Sequence, residues 1–290
     1  MSQIKITTGN NIGVFLWRKI IVPLLENILG KNFQKGIVQE YAYGKLASEK
    51  LDYIAPNNSY SKDIAIVHIH GGGFVSGSKG KIYSKTLLKF SNDGYPVFSI
   101  NYPLAPEQQH PYILHSLLNA LAWIKTNYSQ YNAIHLVGDS AGGNLAMMLG
   151  IYIANPELLK SLTDIEIDGL PRIKSVSNCY GVNDRISWIE DGFPSAKLFS
   201  KMYFENTTDI HIPMTPMDFE TITNLPATFI AGAGTDKLLR SSKIWAERTQ
   251  KQFEHVQFKI YEGASHGFFS AGKGSDELID DILSFINKVK

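Results

Sequence analysis

A serine hydroxyl becomes a nucleophile at neutral pH only beside a base, and the base works best when a carboxylate holds it. The chain has candidates for all three. Gly138-Asp139-Ser140-Ala141-Gly142-Gly143-Asn144 reads G-x-S-x-G. It follows an apolar run at 134–137 and opens an almost wholly apolar segment at 144–154. A strand, this turn and a helix make a nucleophile elbow with Ser140 at its tip. In so tight a turn, Cβ atoms at positions 138 and 142 would clash. The helix N-terminus behind Ser140 favours negative charge.

Acyl transfer from an ester also needs donors for the oxyanion that develops on the carbonyl. His70-Gly71-Gly72-Gly73-Phe74 ends the first long apolar run. Three glycines let the backbone approach a substrate and turn N–H groups toward it. A phosphate-binding loop would continue into G-K-[ST], and none follows. His70 is expected to brace this loop, with Gly71 and Asp139 in support. His68 and His70 share one strand face, but no third ligand follows nearby, so no metal is expected.

The base is assigned to His266, in the glycine-flanked run Gly263-Ala264-Ser265-His266-Gly267-Phe268 after a late strand. The other histidines fall in strands, helices or connections. The acid is assigned to Asp236, which follows Ala231-Gly232-Ala233-Gly234-Thr235. The chain order Ser140, Asp236, His266 is serine, acid, base. Asp184 is the rival acid, because it follows the strand before; helix capping or solvent exposure is its simpler reading.

These residues need a scaffold that brings several strand ends together. Two short strands are expected within 37–55, around Gly44. Apolar runs at 64–69, 95–100, 134–137, 173–179 and 227–231 read as buried strands, and the alternation of 256–260 reads as an edge strand. Helical spacing lies between them at 83–90, 117–124, 144–154 and 238–250, and Ser275 is expected to cap a last helix. Alternating strands and helices imply an α/β fold: a mostly parallel sheet covered on both faces, with its site at the carboxyl ends of the strands. Residues 182–224 break the rhythm. Rich in aromatics and methionine, they are expected to form part of a small cap on a single domain spanning 1–290, with residues 1–36 as the other part.

Three motifs carry a family resemblance: His70-Gly71-Gly72-Gly73-Phe74, the elbow at 138–144, and Asn101-Tyr102-Pro103-Leu104-Ala105-Pro106-Glu107. Together they resemble the hormone-sensitive-lipase-like carboxylesterases of the α/β-hydrolase fold, from about residue 37 to the C-terminus. The resemblance implies a cofactor-free esterase or lipase with a cap. It also implies that the oxyanion donors are the N–H groups of Gly72, Gly73 and Ala141. The sequence departs twice. The family commonly has Arg where Pro103 stands, and D-x-L-x-D-E where this chain has Asp236-Lys237-Leu238-Leu239-Arg240-Ser241.

The bulk composition agrees with an ordinary globular enzyme. The 290 residues are 44% apolar and 19% charged, with a formal net charge of +1. Nothing in that balance attracts nucleic acid or an anionic membrane. The single cysteine, Cys179, cannot form a disulfide within the chain, which suits a cytoplasmic location. The apolar run at 13–29 is too short and too charged to span a membrane. A helix packed on the protein is the first reading and a membrane-surface helix the second. The expected function is hydrolysis of small-molecule esters, with short acyl chains preferred. Amide hydrolysis on the same residues and a non-catalytic binding module are the alternatives; a homodimer stays open.

Overall fold

The computed structural model describes residues 14, 16–29, 37–57, 62–131, 133–204 and 212–289. An eight-stranded sheet runs through the molecule in the order β1-β2-β4-β3-β5-β6-β7-β8. Its strands are β1 (Val38–Ala42), β2 (Lys50–Ile54), β3 (Ile64–Ile69), β4 (Val97–Ile100), β5 (Ala133–Asp139), β6 (Arg172–Cys179), β7 (Ala227–Ala233) and β8 (Val256–Tyr261). β1 and β2 form a hairpin, and β2 pairs antiparallel with β4. Every pairing from β4 to β8 is parallel.

The helices are α1 (Val22–Leu29), preceded by a π turn, α2 (Ser84–Asn92), α3 (Tyr112–Asn127), α4 (Ala141–Ala154), α5 (Pro156–Leu162), α6 (Arg185–Asp191), α7 (Ala196–Phe204), α8 (Leu239–Gln250) and α9 (Ser275–Lys288). Apolar strand residues supply two cores. Ala65, Val67 and Ile69 of β3 join the one that holds α3, α4 and α8, and Ile66 joins the one that holds α2 and α9. α4 is buried from Ala141 to Ile153, as its apolar circumference demands. No helix among the described residues is long and apolar enough to cross a membrane.

Two sequence expectations shift. β4 starts at Val97 rather than Tyr95, because Pro96 has no N–H for the ladder; its carbonyl still accepts from the Ile66 N–H at 2.9 Å. Ser275 does not cap the last helix. Gly274 is the N-cap with φ +85°, and the Ser275 hydroxyl is buried without a partner. A left-handed residue at the chain's entry into α9 favours glycine and moves the boundary back by one.

Residues 182–224 leave the sheet after β6 and contain α6, α7 and a short 3-10 turn, with 205–211 outside the described residues. Phe74, just after the glycine run, stacks on Tyr203 of α7 at 4.0 Å and meets Trp188 of α6 edge-on at 5.7 Å. Of residues 1–36, only Val14 and 16–29 are described. Arg18 fastens that segment. Its guanidinium binds both Glu107 carboxylate oxygens, at 2.7 and 3.0 Å, and also donates to the carbonyls of Val75 and Ala105.

Candidate active site

The elbow follows β5. Ser140 has φ +54° and ψ −120°, in the region that L residues rarely adopt. Its N–H is tied to the Cys179 carbonyl of the neighbouring strand at 2.9 Å. The glycines on either side are spatially required. A Cβ on Gly138 would lie 2.2 Å from the Gly142 carbonyl oxygen, and one on Gly142 would lie 2.0 Å from that of Ile69. The strain is thus held by two backbones in contact, and it leaves the serine side chain facing the loops above the sheet.

There the Ser140 Oγ lies 3.0 Å from His266 Nε2. The other imidazole nitrogen, Nδ1, lies 2.8 Å from Asp236 Oδ2. A carboxylate only accepts, so Nδ1 carries a hydrogen and donates it, leaving Nε2 to accept from the serine hydroxyl. Asp236 is fixed a second time: its Oδ1 accepts from the Leu238 N–H at 3.0 Å. The Asp236 side chain is fully buried, whereas His266 keeps 24% of its side chain exposed. The acid is sealed from water while the imidazole faces an opening. Of the expected residues, Ser140, Asp236 and His266 therefore come together in one hydrogen-bonded chain.

Asp184 does not join them. It is the N-cap of α6, and its carboxylate accepts from the Ser187 N–H at 2.7 Å. This is the capping role that its position suggests.

The glycine run lies against the elbow. Gly71 donates its N–H to Asp139 Oδ1 and to the Tyr83 hydroxyl, each at 3.1 Å. Tyr83 is also hydrogen-bonded to Asp139; burial, and then that carboxylate's charge, raise its phenol far above the usual range. Gly72 and Gly73 have φ +119° and +62°. Among the described residues no acceptor takes the N–H of Gly72, Gly73 or Ala141. His70 lies against the loop. Its Nδ1 donates to the Gly71 carbonyl at 2.7 Å, and its ring stacks on Tyr102 at 4.2 Å. Burial pushes its pKa down to about 4, so it is neutral at pH 7 and is no charge near the loop.

His68 turns Nδ1 toward the Ser99 hydroxyl at 2.9 Å, and its Nε2 is 3.9 Å from Asp139. Among the described residues, no three His, Cys, Asp or Glu side chains are grouped to hold a metal. His211 lies outside the described residues.

Both departures from the family pattern have structural counterparts. Without Arg at 103, Glu107 is paired by Arg18, from the N-terminal segment. Without the acidic pair at 240–241, Ser241 accepts the N–H groups of Asn183 and Asp184 at 2.8 and 3.1 Å, while Arg240 pairs with Glu190 and Asp191 of α6. Sequence reasoning missed Arg18, Tyr83, Ser241 and Tyr180, which stands 5.0 Å from the imidazole. Each acts across a long sequence separation, and none sits in a local motif.

Comparison with known proteins identifies the fold and the family. A family model described as alpha/beta hydrolase fold matches residues 66–270. Solved structures of similar fold include esterase B from Lactobacillus rhamnosis (HN001), at 16% identity and TM-score 0.80, covering 96% of this chain and 95% of that one. An esterase from the archaeon Pyrobaculum calidifontis aligns at 21% identity and TM-score 0.75, over 97% and 94% of the two chains. The Francisella virulence factor BioJ aligns at 22% identity and TM-score 0.75, over 99% and 96%. With the elbow, the His-Gly-Gly-Gly-Phe run and the matched span all in place, the chain belongs to the alpha/beta-hydrolase-fold family and is a serine hydrolase of its hormone-sensitive-lipase-like carboxylesterase group.

Proposed function

We propose that the protein hydrolyses carboxylic esters of small molecules by a Ser140–His266–Asp236 triad through an acyl-enzyme. The observation that carries this reading is the continuous hydrogen-bonded chain from Ser140 Oγ through the imidazole to the sealed Asp236 carboxylate. Ser140 attacks the acyl carbon as His266 takes its proton. Asp236 holds the resulting imidazolium in orientation. The N–H groups of Gly72, Gly73 and Ala141 receive the oxyanion, and Gly71, His70 and Asp139 hold the loop that presents two of them. The C–O bond to the alcohol breaks as the imidazolium returns the proton to the leaving oxygen. Water then cleaves the acyl-enzyme by the same steps.

In this reading the described parts of 1–36 and 182–224 act as a cap on a single domain. Phe193 lies edge-on to His266 at 4.8 Å, and Phe199 fills the space where a side chain on Gly73 would point. Two aromatic side chains this close to the imidazole and the glycine run support a short-acyl preference. One neighbour of the same fold, esterase B, is inhibited by a C4-C4 SN3 tributyrin phosphonate, which also fits short acyl groups. The lone buried cysteine fits a reducing compartment, and we take that to be the cytoplasm.

The test is a panel of p-nitrophenyl esters of rising acyl length beside the matching anilides. We expect turnover of acetate and butyrate esters to exceed that of long-chain esters and of every anilide. Anilides cleaved as fast as esters would replace the ester reading by an amidase, and faster turnover of long chains would remove the acyl preference.

A further inference from the structure

Whatever base removes the Ser140 proton later returns it to the leaving oxygen, so that oxygen must come within about 2.6–3.2 Å of His266 Nε2. Among the described residues the imidazole has two aromatic neighbours. Tyr180 meets it at 5.0 Å and 65°, is fully buried, and accepts the Phe269 N–H on its hydroxyl at 3.0 Å. Phe193 meets it at 4.8 Å and 68° and is 37% exposed. The first is floor and the second is rim. The buried Tyr180 closes its side of the imidazole to a substituent on the leaving oxygen, and the half-exposed Phe193 ring stands on a side that solvent reaches.

We propose that Phe193 is the residue that selects the alcohol part of the substrate, favouring esters of flat apolar alcohols. This rests on the reading of Ser140 and His266 as nucleophile and base. The physical case lies in the rim itself. Phe193 offers a partly exposed aromatic ring and no polar atom, Pro194 follows it, and Ile189 is a further partly exposed apolar side chain on α6. An aryl alcohol gains offset or edge contacts there. A sugar or charged alcohol loses hydration against the same wall with no hydrogen bond in return. Phe199 stands by Gly73, at the loop that holds the carbonyl oxygen rather than the leaving oxygen. The two aromatics thus meet different parts of an ester.

The experiment varies the two halves of the ester independently. One series holds the acyl group as acetate and varies the alcohol through methanol, phenol and 2-naphthol. The other holds p-nitrophenol and varies the acyl group from acetate to hexanoate. kcat/KM is measured for the wild type, Phe193→Ala and Phe193→Leu, with folding followed by circular dichroism. Because each variant is compared with the wild type on the same ester, leaving-group chemistry cancels. Phe193→Ala is expected to lower the aryl-to-methyl ratio about tenfold, the size of an aromatic contact with its buried area. Phe193→Leu, which keeps bulk without the ring, should fall between. The order of the acyl series should stay that of the wild type. An aryl-to-methyl ratio unchanged to within about twofold, or a reordered acyl series instead, would overturn the assignment while leaving the esterase intact. A wild-type protein that cleaves no ester of either series would overturn the esterase reading, and this one with it.

Discussion

Two aspartates stand after neighbouring strands, and only one meets the imidazole. Asp236 is fully buried against His266 and the Leu238 N–H, whereas Asp184 spends its carboxylate on capping α6. Replacing a triad acid by asparagine keeps the shape but favours the wrong imidazole tautomer, which costs chymotrypsin-type proteases about 10⁴ in kcat. Asp236→Asn should therefore lose at least about 10² in kcat. Asp184→Asn should lose little, because asparagine caps a helix about as well as aspartate. Steady-state kcat for both variants checks this, and a large loss at Asp184 would move the acid. The elbow serine and its glycines were legible because each is forced by local sterics: a strained serine between two backbone contacts leaves one usable pattern. Ser241 was not legible. Its buried hydroxyl takes two N–H groups from residues 58 and 57 positions earlier in the chain, and no spacing rule announces that.

At the scale of elements, strand positions could be read from apolar runs because β3 to β7 are buried on both faces, and the alternation of β8 marked the edge. Boundaries were less legible where a single residue decides them, as Pro96 and Gly274 do. The N-terminal segment was legible only as an amphipathic helix. Arg18 ties it down across the chain, reaching the carbonyl beyond the glycine run and the Glu107 of the Asn101–Glu107 motif, while Val14 is buried in the core. Hydrogen bonds to a charged group are worth about 1.5–3 kcal/mol each, and lysine cannot reproduce a forked guanidinium. Arg18→Ala should thus raise amide exchange over residues 16–29 by at least about tenfold, with Arg18→Lys intermediate. KM for the bulkier esters should rise with it if the segment caps the site. Unchanged exchange in Arg18→Ala would show that the segment is held by something else.

For the whole molecule, the acid side of the stability curve follows from three buried imidazoles. Burial, in each case the largest cause, pushes the pKa of His70 and of His110 down to about 4 and that of His135 to about 3, from 6.5. In the unfolded chain these groups bind protons as the pH falls below 6.5, while the folded chain refuses them. Stability present above pH 6.5 is therefore lost between 6.5 and about 4 to 3, and the loss levels off below. Glu40 acts in the same direction lower down. Hydrogen bonds from Lys50 and Lys79 hold its carboxyl at about 2 rather than 4.5, so its share is lost between those values. Tm should fall steadily from about pH 6.5 to about pH 4, with net proton uptake on unfolding. A Tm flat over that range would mean that these histidines are not buried neutral.

The central claim is that Ser140 is the nucleophile, activated by His266. It is tested most directly by treating the folded protein with a fluorophosphonate and mapping the adduct by peptide mass spectrometry. The account predicts one phosphonate per chain, on Ser140, with Ser140→Ala folded and unlabelled and His266→Ala labelled far more slowly. Labelling of another serine at the wild-type rate, or of Ser140→Ala, would contradict it.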